Sequence, residues 1–141
     1  MRPNRSIPPC SVIPELGYPN VSRAINWLCG AFGFDLRLRV AHHRAQLNVG
    51  AGAIVVKELA QNEAPLTGAG WRTHAIMVRI ADVEDHYANA LGYGVRILRE
   101  PADYPFGERQ YTCLDLGDHA WTFSQTIADA SPEGWGGVAS R

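Results

Sequence analysis

The chain has 141 residues, of which 46% are hydrophobic and 19% are charged, and its formal net charge is -1. A chain of this length and composition can bury a sizeable core within one structural unit. Its near-neutral charge gives no electrostatic reason to expect nucleic acid or an anionic membrane as a partner. We therefore expect its partners among small organic molecules and other proteins.

The cysteines and the N-terminus point to a reduced, cytoplasmic protein. Cys10, Cys29 and Cys113 form neither a CxxC motif nor a zinc-type spacing, so free thiols are expected. The opening sequence MRPNRSIPP has no apolar h-region, and no apolar run approaches the roughly 18 residues of a membrane span. Residues 1–10 are expected to be a flexible N-terminus, without a targeting or anchoring signal.

The first half, residues 11–59, reads as strand, helix and three strands. A strand is predicted over residues 11–18, where apolar and other side chains alternate. Asn20 is a good N-cap for a helix, and apolar residues recur at steps of three and four until Gly33. Three further strands are predicted over residues 36–40, 44–49 and 53–59, the last two joined by a glycine-containing turn.

The second half, residues 74–127, follows a polar linker at residues 60–73 and repeats that order. A strand is predicted over 74–80, a helix capped by Asp82 after it, and a strand over 95–98. Residues 101–107 hold two prolines, two aromatics and a glycine, which favours a shaped loop. Two strands around the turn Leu116-Gly117-Asp118 complete this half, and residues 128–141 form a tail.

Short sequence correspondences support an internal repeat. Asn20-Val21 matches Asp82-Val83 at an offset of 62 residues, and Phe32-Gly33 matches Tyr93-Gly94 at an offset of 61. The predicted fold is therefore α+β, with two βαβββ modules. Each module should form a curved mixed sheet with one face covered by a helix and one bare, concave face.

Several segments together resemble a known family. Residues 79–101, RIADVEDHYANALGYGVRILREP, and residues 104–123, YPFGERQYTCLDLGDHAWTF, are similar to the vicinal oxygen chelate superfamily, in its glyoxalase/bleomycin resistance protein/dioxygenase group. The resemblance covers about residues 12–126. It implies paired βαβββ modules, a cavity on the concave sheet face and, commonly, a homodimer. It does not by itself select a reaction.

The resemblance also raises the question of a metal. Enzymes of this superfamily typically bind one divalent ion, such as Zn, Ni, Mn or Fe, through His and Glu on the first and last strands of each module. The matching positions here carry no usual ligand, being Ile13, Val55, Ala75 and Thr122. Among nearby residues, strand alternation turns Glu15 toward the cavity and turns His74 and Glu58 away. We expect no cofactor, with one divalent metal as the alternative.

The remaining histidines have simpler interpretations. His42 and His43 suit an exposed hairpin end, and His86 suits a solvated pair with Asp82 on a helix face. His119 is expected to fix a turn. No arrangement of nucleophile and base stands out, so no catalytic residue can be named.

Strand alternation instead predicts a ligand-binding cavity. Tyr104 and Phe106, from the predicted loop, could close over it. For several positions a structural alternative stays open: Gln46 and Asn48 as solvated edge residues, Tyr104 as a packing residue, and Arg79 as a structural partner of Glu15. The side chains predicted to line the concave side are Glu15, Gln46, Asn48, Met77, Arg79, Thr122 and Ser124.

Two function classes follow. The first is a metal-free binding protein that sequesters an antibiotic or toxic compound, in the manner of bleomycin resistance proteins. The second is a metal-dependent enzyme such as a glyoxalase, thiol transferase, epimerase or dioxygenase. In both cases a homodimer is expected, because bare sheet faces and the segments around Trp71 and Trp135 need covering.

Overall fold

The computed structural model describes residues 1–60, 62–63 and 73–140. The predicted α+β repeat of two βαβββ modules is confirmed. Residues 60–73, predicted as a linker that includes Trp71, lie largely outside the described residues. The first module contains β1 (Glu15–Tyr18), α1 (Val21–Phe32), β2 (Asp35–Val40), β3 (Arg44–Val49) and β4 (Gly52–Glu58). The second contains β5 (Ile76–Arg79), α2 (Val83–Gly92), β6 (Arg96–Tyr104), β7 (Glu108–Leu114) and β8 (Ala120–Thr126), followed by a short 3-10 helix (Pro132–Trp135).

Each module forms one four-stranded sheet, and the two sheets have equivalent strand orders. The orders are β1-β4-β3-β2 and β5-β8-β7-β6. In each sheet the first strand pairs with the last in parallel, with Glu15 opposite Val55 and Met77 opposite Thr122. The other neighbours are antiparallel. Neither helix in the described ranges has the length and apolar character needed to cross a membrane.

Both predicted helix caps are confirmed. The Asn20 side chain accepts a hydrogen bond from the backbone N of Arg23 at 2.9 Å, and the Asp82 side chain accepts one from the backbone N of Asp85 at 3.0 Å. Gly33, with φ of 75°, ends α1 in the left-handed region, where a residue without Cβ is least strained. These local signals therefore fix where the helices start and where α1 ends.

Two strand boundaries differ from the sequence prediction. β1 begins at Glu15 and not at residue 11, because Pro14 has no N–H with which to extend the ladder. β6 continues to Tyr104, so the loop predicted over residues 101–107 is strand up to Tyr104 and a turn only over residues 105–107. Pro101 is tolerated because β6 is an edge strand whose register with β7 shifts between Arg99 and Ala102.

The helix-covered faces of the two sheets share one core. The Phe32 ring at the end of α1 lies 5.7 Å from the Trp121 ring and 4.8 Å from the Phe123 ring, both on β8. Residues of both helices and both sheets form a single buried cluster. We call this contact between the modules the seam. Because the seam occupies the helix side of each sheet, the opposite face, here called the bare face, lies outside the shared core.

A buried carboxylate lies in the seam. Asp115, only 4% exposed, accepts hydrogen bonds at Oδ2 from the Tyr18 hydroxyl at 2.6 Å and from the Trp121 indole N–H at 2.9 Å. Its Oδ1 accepts from the backbone N of Gly117 at 2.8 Å and of His119 at 3.0 Å. Tyr18 belongs to the first module and the other donors to the second. Burial, followed by the nearby Asp115 carboxylate, raises the pKa of Tyr18 well above its ordinary value.

We predict that Asp115→Asn lowers the free energy of unfolding by about 3 kcal/mol, because its amide NH₂ would face buried donors that need an acceptor. Urea denaturation followed by tryptophan fluorescence measures the change. Asp118→Asn is the matched control, since Asp118 lies in the same turn at φ of 63°, which asparagine tolerates. Equal effects of the two substitutions would contradict the role given to Asp115.

Candidate functional site

The bare face of the second sheet carries a hydrogen-bonded row of polar side chains. The Gln110 amide donates to the Ser124 hydroxyl at 3.0 Å, and that hydroxyl donates to Glu108 Oε1 at 2.8 Å. The Thr112 and Thr122 hydroxyls lie 2.8 Å apart. Gln110 and Ser124 are direct cross-strand partners, as are Thr112 and Thr122, so all of them share this face. Ser124 is fully buried and Thr112 is only 6% exposed, whereas Gln110 and Glu108 are half-buried. The accessible side chains of Gln110 and Glu108 are therefore held in place by the buried Ser124 hydroxyl before any ligand arrives.

Four predicted site residues of the second module share this face. Met77 is 62% exposed and pairs with Thr122, while Arg79 pairs with Ser124 on the adjacent strand. A guanidinium N–H of Arg79 donates to the Thr126 hydroxyl at 3.0 Å. This contact replaces the suggested pair between Arg79 and Glu15. Arg79 thus lies at the β5 edge of the polar row.

The aromatic residues lie at the other side of the same sheet. Tyr104 pairs with Glu108 on the bare face, so one row of neighbours runs from Thr126 through Glu108 to Tyr104. The Tyr104 and Phe106 rings stack with centroids 5.4 Å apart, and Phe106 lies 5.4 Å from the Trp135 ring. The tail of the chain therefore packs against the β6–β7 turn beside the polar row.

The three predicted residues of the first module also share a bare face, but they differ in accessibility. Glu15 is exposed and forms a 2.8 Å ion pair with Arg44. Asn48 is half-buried, whereas Gln46 is only 5% exposed, so the suggestion that Gln46 is a solvated edge residue was wrong. Gln46 is buried because the N-terminal segment covers it: its Nε2 donates to the backbone carbonyl of Ser6 at 2.8 Å.

A cavity of about 600 Å³ lies where the two modules meet beside β5. Its walls include Met77 and Arg79 from β5, Pro14 before β1, and the turn from Gly50 to Gly52. Two of the nine predicted site residues therefore line it. The others lie on the two bare faces and at the β6–β7 turn.

The four positions that correspond to metal ligands do not fit an ion. Ile13, Val55 and Ala75 have hydrocarbon side chains, and the Thr122 hydroxyl is already bonded to Thr112. Within residues 1–60, 62–63 and 73–140, no three side chains of His, Cys, Asp or Glu come together as a ligand group. His74 is exposed, and its Nδ1 lies 3.0 Å from the Thr73 hydroxyl.

His86 is not the solvated helix residue that the sequence suggested. Its Nε2 donates to the Phe32 carbonyl at 3.1 Å, and its Nδ1 contacts the Tyr111 hydroxyl. The ring lies 4.0 Å from that of Phe123 in the seam. Burial lowers the pKa of His86 below its ordinary value, although the Phe32 carbonyl and Asp85 act in the opposite direction. The signal that sequence reasoning missed is tertiary, because Phe32 lies 54 residues away.

Comparison with known proteins identifies the family. Residues 12–123 match the Glyoxalase/Bleomycin resistance protein/Dioxygenase superfamily. The chain belongs to this superfamily. Comparison with curated proteins gave no match.

Several solved structures are similar to the chain. TioX from Micromonospora sp. ML1 is 31% identical with a TM-score of 0.68, over 84% of this chain and 99% of that one. A glyoxalase/bleomycin resistance protein/dioxygenase from Alicyclobacillus acidocaldarius is 11% identical with a TM-score of 0.64, over 86% and 95%. The fosfomycin resistance protein FosX from Listeria monocytogenes is 12% identical with a TM-score of 0.64, over 82% and 92%. The last two likenesses concern the fold alone.

We predict that His86 makes the stability of this superfamily member depend on pH. The folded state has the lower pKa, so the unfolded state binds more protons below the ordinary pKa of 6.5. The contribution of neutral His86 to folding stability is complete above pH 6.5. It is lost as the pH falls below 6.5 toward the pKa of His86 in the folded state. Between about pH 7.5 and 5.5, the melting temperature of wild type should therefore fall more steeply than that of His86→Gln. Parallel curves from differential scanning fluorimetry would contradict this.

Proposed function

We propose that the protein binds a small organic molecule on its bare faces and sequesters an antibiotic or toxic compound without changing it. The observation that carries this proposal is the hydrogen-bonded row of Gln110, Ser124 and Glu108 on the second sheet. Groups already held in place lose little conformational entropy when a ligand binds, so their contacts contribute more fully to affinity.

The surroundings of this row suit an organic ligand. Arg79 lies at one edge and Tyr104 at the other, so a cation and an aromatic ring flank the polar groups. A guanidinium can orient a carboxylate or carbonyl through paired hydrogen bonds, and an aromatic ring removes apolar area from water. The 600 Å³ cavity at Arg79 is large enough for a drug-sized ligand to be partly enclosed.

The resistance role rests on the superfamily and on what its members are called. The superfamily is named in part for bleomycin resistance, and FosX is described as a fosfomycin resistance protein. A structure of a FosX mutant contains Mn(II), which represents the metal-dependent alternative. Sequestration is favoured for this chain because its four corresponding positions offer three hydrocarbon side chains and one engaged hydroxyl.

We further propose a cytoplasmic homodimer. The bare face of the second sheet lies outside the shared core, and a second copy could cover part of it while leaving a cavity between the chains. The exposed side chains of Met77 and Trp135 give apolar surface for such a contact.

Metal analysis tests the mechanism. We predict less than about 0.1 equivalent of Zn, Ni, Mn or Fe in protein dialysed against a weak chelator, because the four positions lack imidazole and carboxylate. Inductively coupled plasma mass spectrometry measures the content. A near-stoichiometric metal would reject the metal-free mechanism and favour the enzyme.

Site variants test the binding surface. For a ligand found by a thermal-shift screen, Arg79→Ala, Tyr104→Ala or Phe106→Ala should each weaken binding by about 1 to 3 kcal/mol, as expected for contact residues of this size. Isothermal titration calorimetry gives the dissociation constants. His74→Ala is the control and should bind like wild type. Loss of binding in the control with intact binding in the other variants would place the site elsewhere.

Light scattering tests the assembly. We predict a mass of about twice the 15.5 kDa chain at micromolar concentration. Met77→Asp should shift the mass toward the monomer, because it would bury a charge in the covered face. A wild-type monomer under these conditions would reject the dimer.

A further inference from the structure

The N-terminal segment lies across the bare face of the first sheet and is held there through its backbone. The Gln46 amide donates to the Ser6 carbonyl at 2.8 Å. The Arg37 guanidinium donates to the Arg5 carbonyl at 3.0 Å and to the Ile7 carbonyl at 3.3 Å. Two neighbouring side chains therefore bind three consecutive peptide carbonyls. We call residues 3–9 the strap.

The two donors form a built arrangement. Arg37 also donates to the Gln46 side-chain oxygen, so each donor helps to orient the other. Because the Gln46 side-chain oxygen accepts from Arg37, the Gln46 NH₂ group is directed toward the strap. Gln46 is only 5% exposed, and a buried amide donor requires an acceptor from whatever lies above it.

The contacts recognise peptide backbone and not strap side chains. In each of these three hydrogen bonds the acceptor is a main-chain carbonyl. The three carbonyls are consecutive and belong to a turn, in which the Ile7 backbone N donates to the Asn4 carbonyl at 3.3 Å. The Arg37 and Gln46 donors are therefore arranged for consecutive amide carbonyls of a turned peptide.

We propose that the bare face of the first sheet is a binding site for peptide-like ligands, and that the strap occupies this site when the ligand is absent. The inference rests on the proposed function and adds the chemical class of the ligand. Arg37 and Gln46 donate to amide carbonyls of the ligand in place of those of residues 5–7. The ligand must therefore displace the strap to bind.

Covalent attachment gives the strap an advantage that the experiment must remove. A tethered segment competes at an effective concentration in the millimolar range. Its prolines at positions 3, 8 and 9 restrict the free segment and so reduce the entropy lost on docking. Replacing all three by glycine keeps the chain complete and its backbone carbonyls present, while it loosens the strap.

The probe is a fluorescein-labelled peptide with the sequence PNRSIPP, residues 3–9, followed by fluorescence anisotropy. The triple variant Pro3→Gly/Pro8→Gly/Pro9→Gly should bind the probe at least tenfold more tightly than wild type does. Adding Arg37→Met or Gln46→Leu to the triple variant should weaken binding at least tenfold. Arg39→Met is the matched control, because Arg39 bonds to Ser22 and to the Ala41 carbonyl and not to the strap.

The outcomes separate this inference from the proposed function. Circular dichroism must show that each variant is folded. Because Arg37 is half-buried and Gln46 is buried, Arg37→Met should disturb folding less than Gln46→Leu does. Absence of probe binding to the triple variant, or binding that Arg37→Met and Arg39→Met weaken equally, would overturn the inference. A failure confined to the Arg79 and Tyr104 tests would instead reject the second bare face as the ligand site.

Discussion

The Asp115 carboxylate is the contact on which the arrangement of the two modules depends. It joins Tyr18 of the first sheet to Trp121 of the second, and it also fixes the turn that leads into β8. A buried carboxylate is costly unless its oxygens are satisfied, and here four donors surround them. Separation of the modules would leave the Tyr18 hydroxyl without this acceptor, and Asp115 would lose the one donor that comes from the first module. The contact between the modules therefore requires one particular hydrogen-bonded arrangement in addition to apolar packing.

A second contact across the seam is made by His119, which joins the turn before β8 to β1. His119 donates from Nε2 to the Gly17 carbonyl at 2.9 Å, and its ring lies 4.9 Å from that of Tyr18. Its Nδ1 is buried without a hydrogen-bond partner among the described residues. The expected role of His119 in a turn is thus only part of its function in the fold. The imidazole also ties the second module to the backbone of β1.

Much of the fold could be predicted because its signals are local. Asn20, Asp82 and Gly33 act within one turn of the chain, and strand alternation placed Ser124 and Thr122 on one face. The end of β6 was mispredicted because Pro101 is acceptable only where a strand lies at an edge, which is a tertiary fact.

The candidate site was harder to predict for the same reason. Alternation along β7 could have indicated Glu108 and Gln110, since they share the phase of Thr112. The contacts of Gln46 with Ser6 and of His86 with Phe32 join residues 40 and 54 positions apart. No periodicity in the sequence reports such pairs. Sequence reasoning therefore identified the side chains on a face but not what covers them.

The irregular register of the outer strands has a consequence for aggregation. β2 and β6 each lie at the outer edge of a sheet, and the register with the neighbouring strand shifts once along β2 and twice along β6. β2 carries Arg37 and Arg39, and β6 carries Arg99 and Pro101. Charges, proline and bulges at an edge prevent another chain from adding a strand there. Addition of strands from other chains is therefore disfavoured at these two edges, and so is the assembly of this protein into fibrils.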